Sequence, residues 1–182
     1  MIRTKDILDE KDPRVRAKNS DVEFPLCNEY KNIIPEMLKH LRYSQIEKLS
    51  KKYDLRPGMG LAAPQLGINK NFFVVCYEVK DGVFDDYILI NPKVISYSEE
   101  MIYAGEGEGC LSVNREVEGI VPRHARITVE AYDLDGNKRK YRVREDLAIA
   151  FQHELDHLNG ILFYDHIDPK NPYKDQNKYR AI

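Results

Sequence analysis

Residues 144–160 read REDLAIAFQHELDHLNG. Leu147, Phe151, Leu155 and Leu158 recur at helical spacing and form one apolar stripe, and Gly160 stands where a helix ends on a C-cap glycine, so the segment predicts a helix. His153 and His157 lie on the opposite side. At i and i+4 they are ~40° apart around the axis, so both imidazoles can reach one metal ion, and Glu154 sits one step round, beside the ion's open side. A helix with an apolar stripe on one side and two histidines on the other has two environments to face, and the rest of the chain has to supply both.

Working outward, RITVEAYDL (126–134) and KRKYRVR (138–144) flank Asp135 and Gly136, a strong hairpin signal. The second of these strands alternates basic with apolar residues, so one of its faces is solvated. NFFVVCYEV (71–79) and DYILIN (86–91) are apolar, β-branched and aromatic runs separated by Asp81-Gly82, which predicts two more strands, and KVISYS (93–98) continues extended. RPGMGLAAPQLG (56–67) holds three Gly and two Pro in twelve residues and reads as an ordered, irregular loop. Ile33, Ile34, Met37, Leu38, Leu41, Ile46 and Leu49 predict one amphipathic helix from about Asn28 to Tyr53, with Pro35 in its first turns. Residues 1–27 form an irregular N-terminal arm. After the 144–160 helix, Ile161 to Phe163 predict a short strand, and 168–182 a polar, Pro-broken tail. The expected fold class is α+β, with mostly antiparallel β-sheets packed around a central helix carrying HELDH, in a single domain spanning 1–182.

Composition bounds the function. The chain has 182 residues, 42% hydrophobic and 32% charged, with no internal repeat, which suits one packed domain and excludes a disordered or fibrous one. Lys and Arg total 28 against 30 Asp and Glu, a net charge of -2, so no global field gathers the chain onto nucleic acid or anionic lipid, and a local patch is what remains open. No apolar run approaches the ~18–20 residues that span a bilayer, and MIRTKDILDEKDPRVR has no secretory core, so a cytoplasmic protein is expected. Three cysteines form no disulfide framework. Cys76, within a strand, and Cys27, in the arm, read as small buried hydrophobes, leaving Cys110 as the chemical one.

A hydrolytic metal site needs a third protein ligand and an open position. In the extended HExxH pattern with a third histidine, Gly160 matches, but the ligand position is Phe163 and His166 falls three residues late. The pattern with a downstream Glu fails, because no Glu follows Glu154. The third ligand is therefore upstream or is His166. Cys110, in EGCLS (108–112) behind a glycine-rich run, is the candidate, since thiolate binds divalent metals well. Metal-assisted hydrolysis would have the ion polarise a carbonyl and acidify water towards ~7, with Glu154 moving the proton to the leaving amine.

GMGLAAPQ (58–65), EGCLS (108–112) and QHELDHLNG (152–160), in this order and together 22 residues, resemble the three signature motifs of peptide deformylases. The interval between the first two, with GEGEGCLSV, is similar to the longer bacterial subclass typical of Gram-positive bacteria. The resemblance implies a metal-dependent hydrolase that removes the formyl group from the N-terminal formylmethionine of nascent proteins and releases formate. It implies Cys110, His153 and His157 as metal ligands, Glu154 as general acid and base, and Gln65 with the backbone N–H of Leu111 as oxyanion donors. One divalent ion is implied, Fe(II) as the usual native metal with Zn(II), Ni(II) or Co(II) as substitutes. Met59, Gly60, Ile149 and Ala150 are placed to line a methionine pocket, and Glu108, also assigned to the substrate site, is a candidate partner for Arg123. Asp156 is expected to orient a neighbour rather than do chemistry. Formylmethionyl nascent peptides are the implied partners. They bring transient ribosome contact, while no membrane partner and no nucleic-acid motif is expected, and Pro169 and Pro172 exclude a long C-terminal helix. Two other readings stand beside this one: an HExxH metallopeptidase, and a structural metal site without activity.

Overall fold

A computed structural model describes residues 1–182. Two helices open the regular structure, α1 (Asn28–Gln45) and α2 (Glu47–Tyr53), followed by strands β1 (Gly60–Ala62), β2 (Phe72–Lys80), β3 (Val83–Tyr97), β4 (Met101–Tyr103), β5 (Arg123–His124), β6 (Arg126–Tyr132) and β7 (Lys138–Arg144). Helix α3 (Glu145–Leu158) and the short strand β8 (Arg180–Ala181) complete the chain. Five strands form an antiparallel sheet in the order β1-β2-β3-β6-β7, and β5-β4-β8 form a smaller one in which β4 and β8 run parallel. The fold is α+β, as the strand and helix patterns predict.

The unbroken apolar run of β2 has a simple cause. Successive strand side chains point to opposite faces, and here both faces are covered. Phe72, Val74 and Cys76 pack with Ile34, Met37 and Leu41 of α1, while Phe73 and Val75 pack with Ala148, Phe151 and Leu158 of α3. The sheet thus lies between two helices, and each large side chain buried this way contributes about 1.5–3 kcal/mol. Phe151 meets Phe73, Tyr87 and Tyr141 edge-on, with centroids at 5.7, 5.5 and 6.2 Å. Those contacts fix the roll of α3 about its axis and so decide where its histidines point. Gly160 follows α3 at φ 70°, with its Cβ position 2.8 Å from the Arg16 carbonyl oxygen, so only glycine fits there.

Several expectations need correction. The helix over 28–53 is two helices, because Ile46 is extended and ends α1 while opening α2. Pro35 lies well inside α1, and the helix continues through it. The loop over 56–67 contains β1, paired with β2, and a 3-10 turn at Ala63–Leu66. Ile161–Phe163 is not a strand: Phe163–His166 is a 3-10 turn, closed where Leu162 N–H donates to Asp165 Oδ2 at 2.9 Å. Leu162 and Phe163 are buried, and short apolar runs report burial, not strand pairing. Cys27 is exposed at the start of α1, so the reading of it as a buried hydrophobe fails, while Cys76 is buried. The arm makes two 3-10 turns, Thr4–Asp6 and Pro13–Arg16, and puts Ile2, Ile7, Val22 and Leu26 into the α1 core. The tail has no α-helix and closes on β4, where Ile182 N–H donates to Tyr103 O at 3.0 Å.

Candidate active site

Helix α3 presents His153 and His157 one turn apart with ring centroids 5.0 Å apart, on the side turned away from the Phe151 contacts. Against them lies the long irregular connection between β4 and β5, which carries Cys110. The Cys110 Sγ is 3.3 Å from His157 Nε2, and one ligand atom from each of Cys110, His153 and His157 lies within 4.8 Å of the others. His166, the other candidate for the third position, is elsewhere, exposed and bonded through Nε2 to Asp156 Oδ2 at 2.7 Å.

Of the two histidines, His153 is oriented by a neighbour, whereas His157 Nδ1 is buried without a hydrogen-bond partner. His153 Nδ1 lies 2.8 Å from Glu108 Oε2, leaving Nε2 for the cluster. Glu108 in turn accepts two hydrogen bonds from Arg123, at 2.8 and 2.9 Å, and Arg123 Nη1 donates to Asp156 at 2.5 Å. Burial alone would raise the Glu108 carboxyl, but the Arg123 and His153 contacts outweigh it and hold it at about 2. Asp156 thus ties Arg123 to His166 and contacts none of the cluster.

Glu154 is in the opposite condition. It is buried, its Oε2 has no hydrogen-bond partner, and burial pushes its carboxyl up to about 7 against the pull of His153 and Arg123. An unpartnered buried carboxylate is costly, and its retention beside two histidines and a thiol is what proton transfer requires.

Gln65 is buried. Its Oε1 accepts from Ala62 N–H at 2.9 Å, which leaves Nε2 pointing at Ser112 Oγ (3.1 Å) and Cys110 Sγ (3.6 Å). The N–H of buried Leu111 donates to no acceptor in the chain. Both donors border the same cleft of about 350 Å³, which is also lined by Met59, Gly60, Glu108, Ile149, Ala150, Cys110, His153 and Glu154. Every residue assigned from the sequence to metal binding, catalysis or substrate binding therefore borders this cleft except His157, which is buried beside Cys110, while Arg123, Asp156 and His166 lie outside it. Glu108 contributes to the wall, but its carboxylate is spent on Arg123 and His153.

Arg56, Pro57, Ala104 and Asp146 also line the cleft and escaped the sequence reading. Arg56 matters most. It donates to the carbonyls of Cys110 (3.2 Å), Val113 (3.1 Å) and Leu111 (3.4 Å) and to the Asn114 side chain, so one guanidinium holds the turn carrying both the thiol and the Leu111 N–H. The only local signal was its place directly before the glycine-rich loop.

The profile of the polypeptide deformylase family matches residues 4–173. The chain belongs to that family. It is 49% identical over the full length of both chains to a peptide deformylase of Macrococcus caseolyticus, and 47% identical to peptide deformylase 2 of Bacillus anthracis over 95% of this chain and 94% of that one. The solved peptide deformylase of Thermotoga maritima superposes with a TM-score of 0.69 at 32% identity, covering 90% of this chain and 97% of the other. The family is metal-dependent and acts on formylmethionyl nascent peptides, and the Cys110, His153, His157 cluster supplies a donor set suited to a divalent ion. Deformylation, not the cleavage of internal peptide bonds by an HExxH metallopeptidase, is the activity of this enzyme. No helix of the chain is long and apolar enough to cross a membrane.

Proposed function

We propose that Cys110, His153 and His157 hold one divalent ion, Fe(II) natively with Zn(II), Ni(II) or Co(II) able to replace it, and that Glu154, Gln65 and Leu111 perform the deformylation. The observation carrying this reading is the partnerless Glu154 carboxylate at the cleft, beside three mutually close ligand atoms. When bound, the ion polarises the formyl carbonyl and acidifies the attacking water. Glu154 takes the proton of that water as its oxygen adds to the formyl carbon. Gln65 Nε2 and the Leu111 N–H donate to the oxygen that gains charge, each such donor supporting about 3–4 kcal/mol of barrier lowering. The carbon–nitrogen bond then breaks, Glu154 passes the proton to the methionine nitrogen, and formate leaves.

Met59, Gly60, Ile149 and Ala150 form the wall for the methionine side chain in this reading, since they supply small or apolar surface beside the reacting groups. Glu108 positions His153 and touches no substrate. A nascent-chain substrate puts the enzyme in the cytoplasm and in transient contact with the ribosome.

The test is formate release from formyl-Met-Ala-Ser by anaerobically purified, Fe(II)-loaded protein. Chelation abolishes it, Glu154→Gln retains the metal with at least ~100-fold loss of turnover, and Cys110→Ser lowers metal content. Near-full turnover in Glu154→Gln would remove Glu154 from the proton-transfer role, and unchanged metal content in Cys110→Ser would remove Cys110 from the ligands.

A further inference from the structure

The N-terminal arm has work that its burial does not explain. Ile2, Ile7, Val22 and Leu26 anchor it in the α1 core, and Val15 is fully buried. Leu8, Asp9 and Glu10, between the two 3-10 turns of the arm, belong to no hydrophobic cluster. They are held instead by hydrogen bonds to the two segments that carry the oxyanion donors. Leu8 N–H donates to Gln65 O at 2.8 Å, and Glu10 N–H donates to the carbonyl oxygen of Ser112, the residue after Leu111, at 2.7 Å.

These two amides join parts of the fold that flank different sheets. Gln65 follows β1 of the five-stranded sheet, and Ser112 precedes β5 of the smaller one. Across the same gap Gln65 Nε2 donates to Ser112 Oγ at 3.1 Å, so a ring closes, with the backbone of residues 8–10 on one side and the two side chains on the other. Side chains lock the ring at its Ser112 end. Asn114 Nδ2 donates to Asp9 Oδ2 at 2.7 Å, and Arg115 donates from Nε and Nη2 to the two Glu10 carboxylate oxygens at 2.8 and 3.1 Å. The Glu10 side chain is 10% exposed, so this bidentate pair is shielded as ordinary surface pairs are not. Arg115 also lies over the Tyr164 ring at 4.9 Å, which limits its swing. The hydrogen bonds of Arg56 all end within residues 110–114. The backbone tie from that turn to Gln65 runs through Leu8–Glu10.

We propose that Glu10 is a positioning residue for deformylation: its amide, with that of Leu8, sets the distance between Gln65 Nε2 and the Leu111 N–H, and its carboxylate holds that setting through Arg115. The proposal rests on the oxyanion roles given above to Gln65 and Leu111. Two donors stabilise one oxygen only if both reach it at about 2.7–3.1 Å, and a misplacement of about 1 Å costs up to ~100-fold in rate. Neither donor segment fixes that spacing by itself, because each belongs to a different part of the fold. Arg56 and Glu10 thus divide the support of one turn: Arg56 holds the thiol, and Glu10 sets the turn's distance from Gln65.

The test compares formate release from formyl-Met-Ala-Ser by metal-loaded wild type, Glu10→Ala, Gln65→Ala and the double variant, with metal content and the visible spectrum of the Co(II)-loaded proteins as separate readouts. In Glu10→Ala, kcat and kcat/KM are expected to fall together by about tenfold, as for an interaction made in the transition state, with KM, metal content and the cobalt spectrum unchanged. Gln65→Ala is expected to lose about 100-fold. Adding Glu10→Ala to it should then lose less than about threefold more, because a single donor has no spacing to keep. A change that merely loosened the fold would multiply through. The proposal falls if Glu10→Ala turns over within about twofold of wild type, if its loss lies in KM or metal content alone, or if the two losses multiply. Should Glu10→Ala prove unstable, Arg115→Gln, at a side chain 52% exposed, carries the same expectation, and wild-type turnover in it overturns the proposal by itself. Full turnover in Gln65→Ala would remove Gln65 from the oxyanion role and the proposal with it, whereas multiplying losses beside an impaired Gln65→Ala remove the proposal alone.

Discussion

Removing the Arg123 guanidinium is expected to cost more stability than any other single side-chain change near the site. Its side chain is 4% exposed, Glu108 is 5% exposed and Asp156 18% exposed, so the Arg123→Met variant leaves two little-solvated carboxylates with only the imidazoles of His153 and His166 as partners. Breaking a buried pair by removing one partner costs about 3–5 kcal/mol, because the surviving charge is desolvated and unpaired. With a urea m-value of about 2 kcal/mol/M, ordinary for a chain this size, the midpoint of unfolding falls by roughly 1.5–2.5 M. The measurement is made in chelator, so that lost metal binding does not add its own mass-action term. In the double variant Arg123→Met/Glu108→Gln the Glu108 charge is gone too, and about 1–3 kcal/mol of the loss should return as coupling energy. The metal readout is separate: with Glu108 no longer held, His153 loses its fixed orientation and metal affinity should drop about 10–100-fold. An Arg123→Met protein within 1 kcal/mol of wild type, or a double variant no more stable than the single one, would refute the role given to this ion pair.

Gly60→Ala places a Cβ 2.6 Å from Glu154 Cδ, so the carboxylate must swing away; turnover should fall about 100-fold with metal content unchanged, and a loss under threefold would contradict the placement of Glu154. Arg56→Met releases the Cys110 turn, and metal retention on dialysis should fall about tenfold, behaving as an outer-shell change; equal retention would show that the turn holds itself. Cys27 should react readily with thiol reagents in the native protein, whereas Cys76 should not; equal labelling rates, followed by peptide mapping, would count against the burial of Cys76. Burial also pushes the Cys76 thiol up to about 11, from an ordinary value of 9.0. The folded chain then holds that proton more tightly than the unfolded one, so stability present below pH 9.0 is lost as pH rises from there towards 11. The difference in unfolding free energy between wild type and Cys76→Ala, followed across that range, should therefore shift against the wild type.

What was legible in the sequence was whatever a short-range period or a fixed spacing encodes. The α3 stripe, the Asp135-Gly136 hairpin and the Asp81-Gly82 turn are local patterns, and each element formed where the pattern put it. The ends of elements were harder, because they are decided from far away. Nothing in HLRYSQIEKL announces a break at Ile46, and no glycine or proline marks it. The turn before it is instead held by partners distant in sequence: Gln45 Nε2 donates to Cys76 O at 2.9 Å, and Gly58 N–H donates to Ser44 Oγ at 3.2 Å. The Phe163–His166 turn depends likewise on Asp165, which bridges Leu162 N–H and Arg16, a residue of the arm.

The same distinction runs through the cleft. Cys110, His153 and Glu154 are legible because metal ligands and a proton carrier must be particular residue types, and few other types can do that chemistry. Arg56 is not, because its work is to satisfy carbonyls, and a carbonyl is present at every position of every sequence. Which of them lack partners depends on the path of the 104–122 connection, and that path is set by Arg123, Arg56 and the returning tail at once. Glu108 shows both sides of this. The resemblance to the family suggested a partnership with Arg123, and the bidentate contact at 2.8 and 2.9 Å is there. That the second acceptor of the same carboxylate would fix His153 follows only from three elements meeting, and this shared oxygen is what couples the stability of the ion pair to the affinity of the metal site.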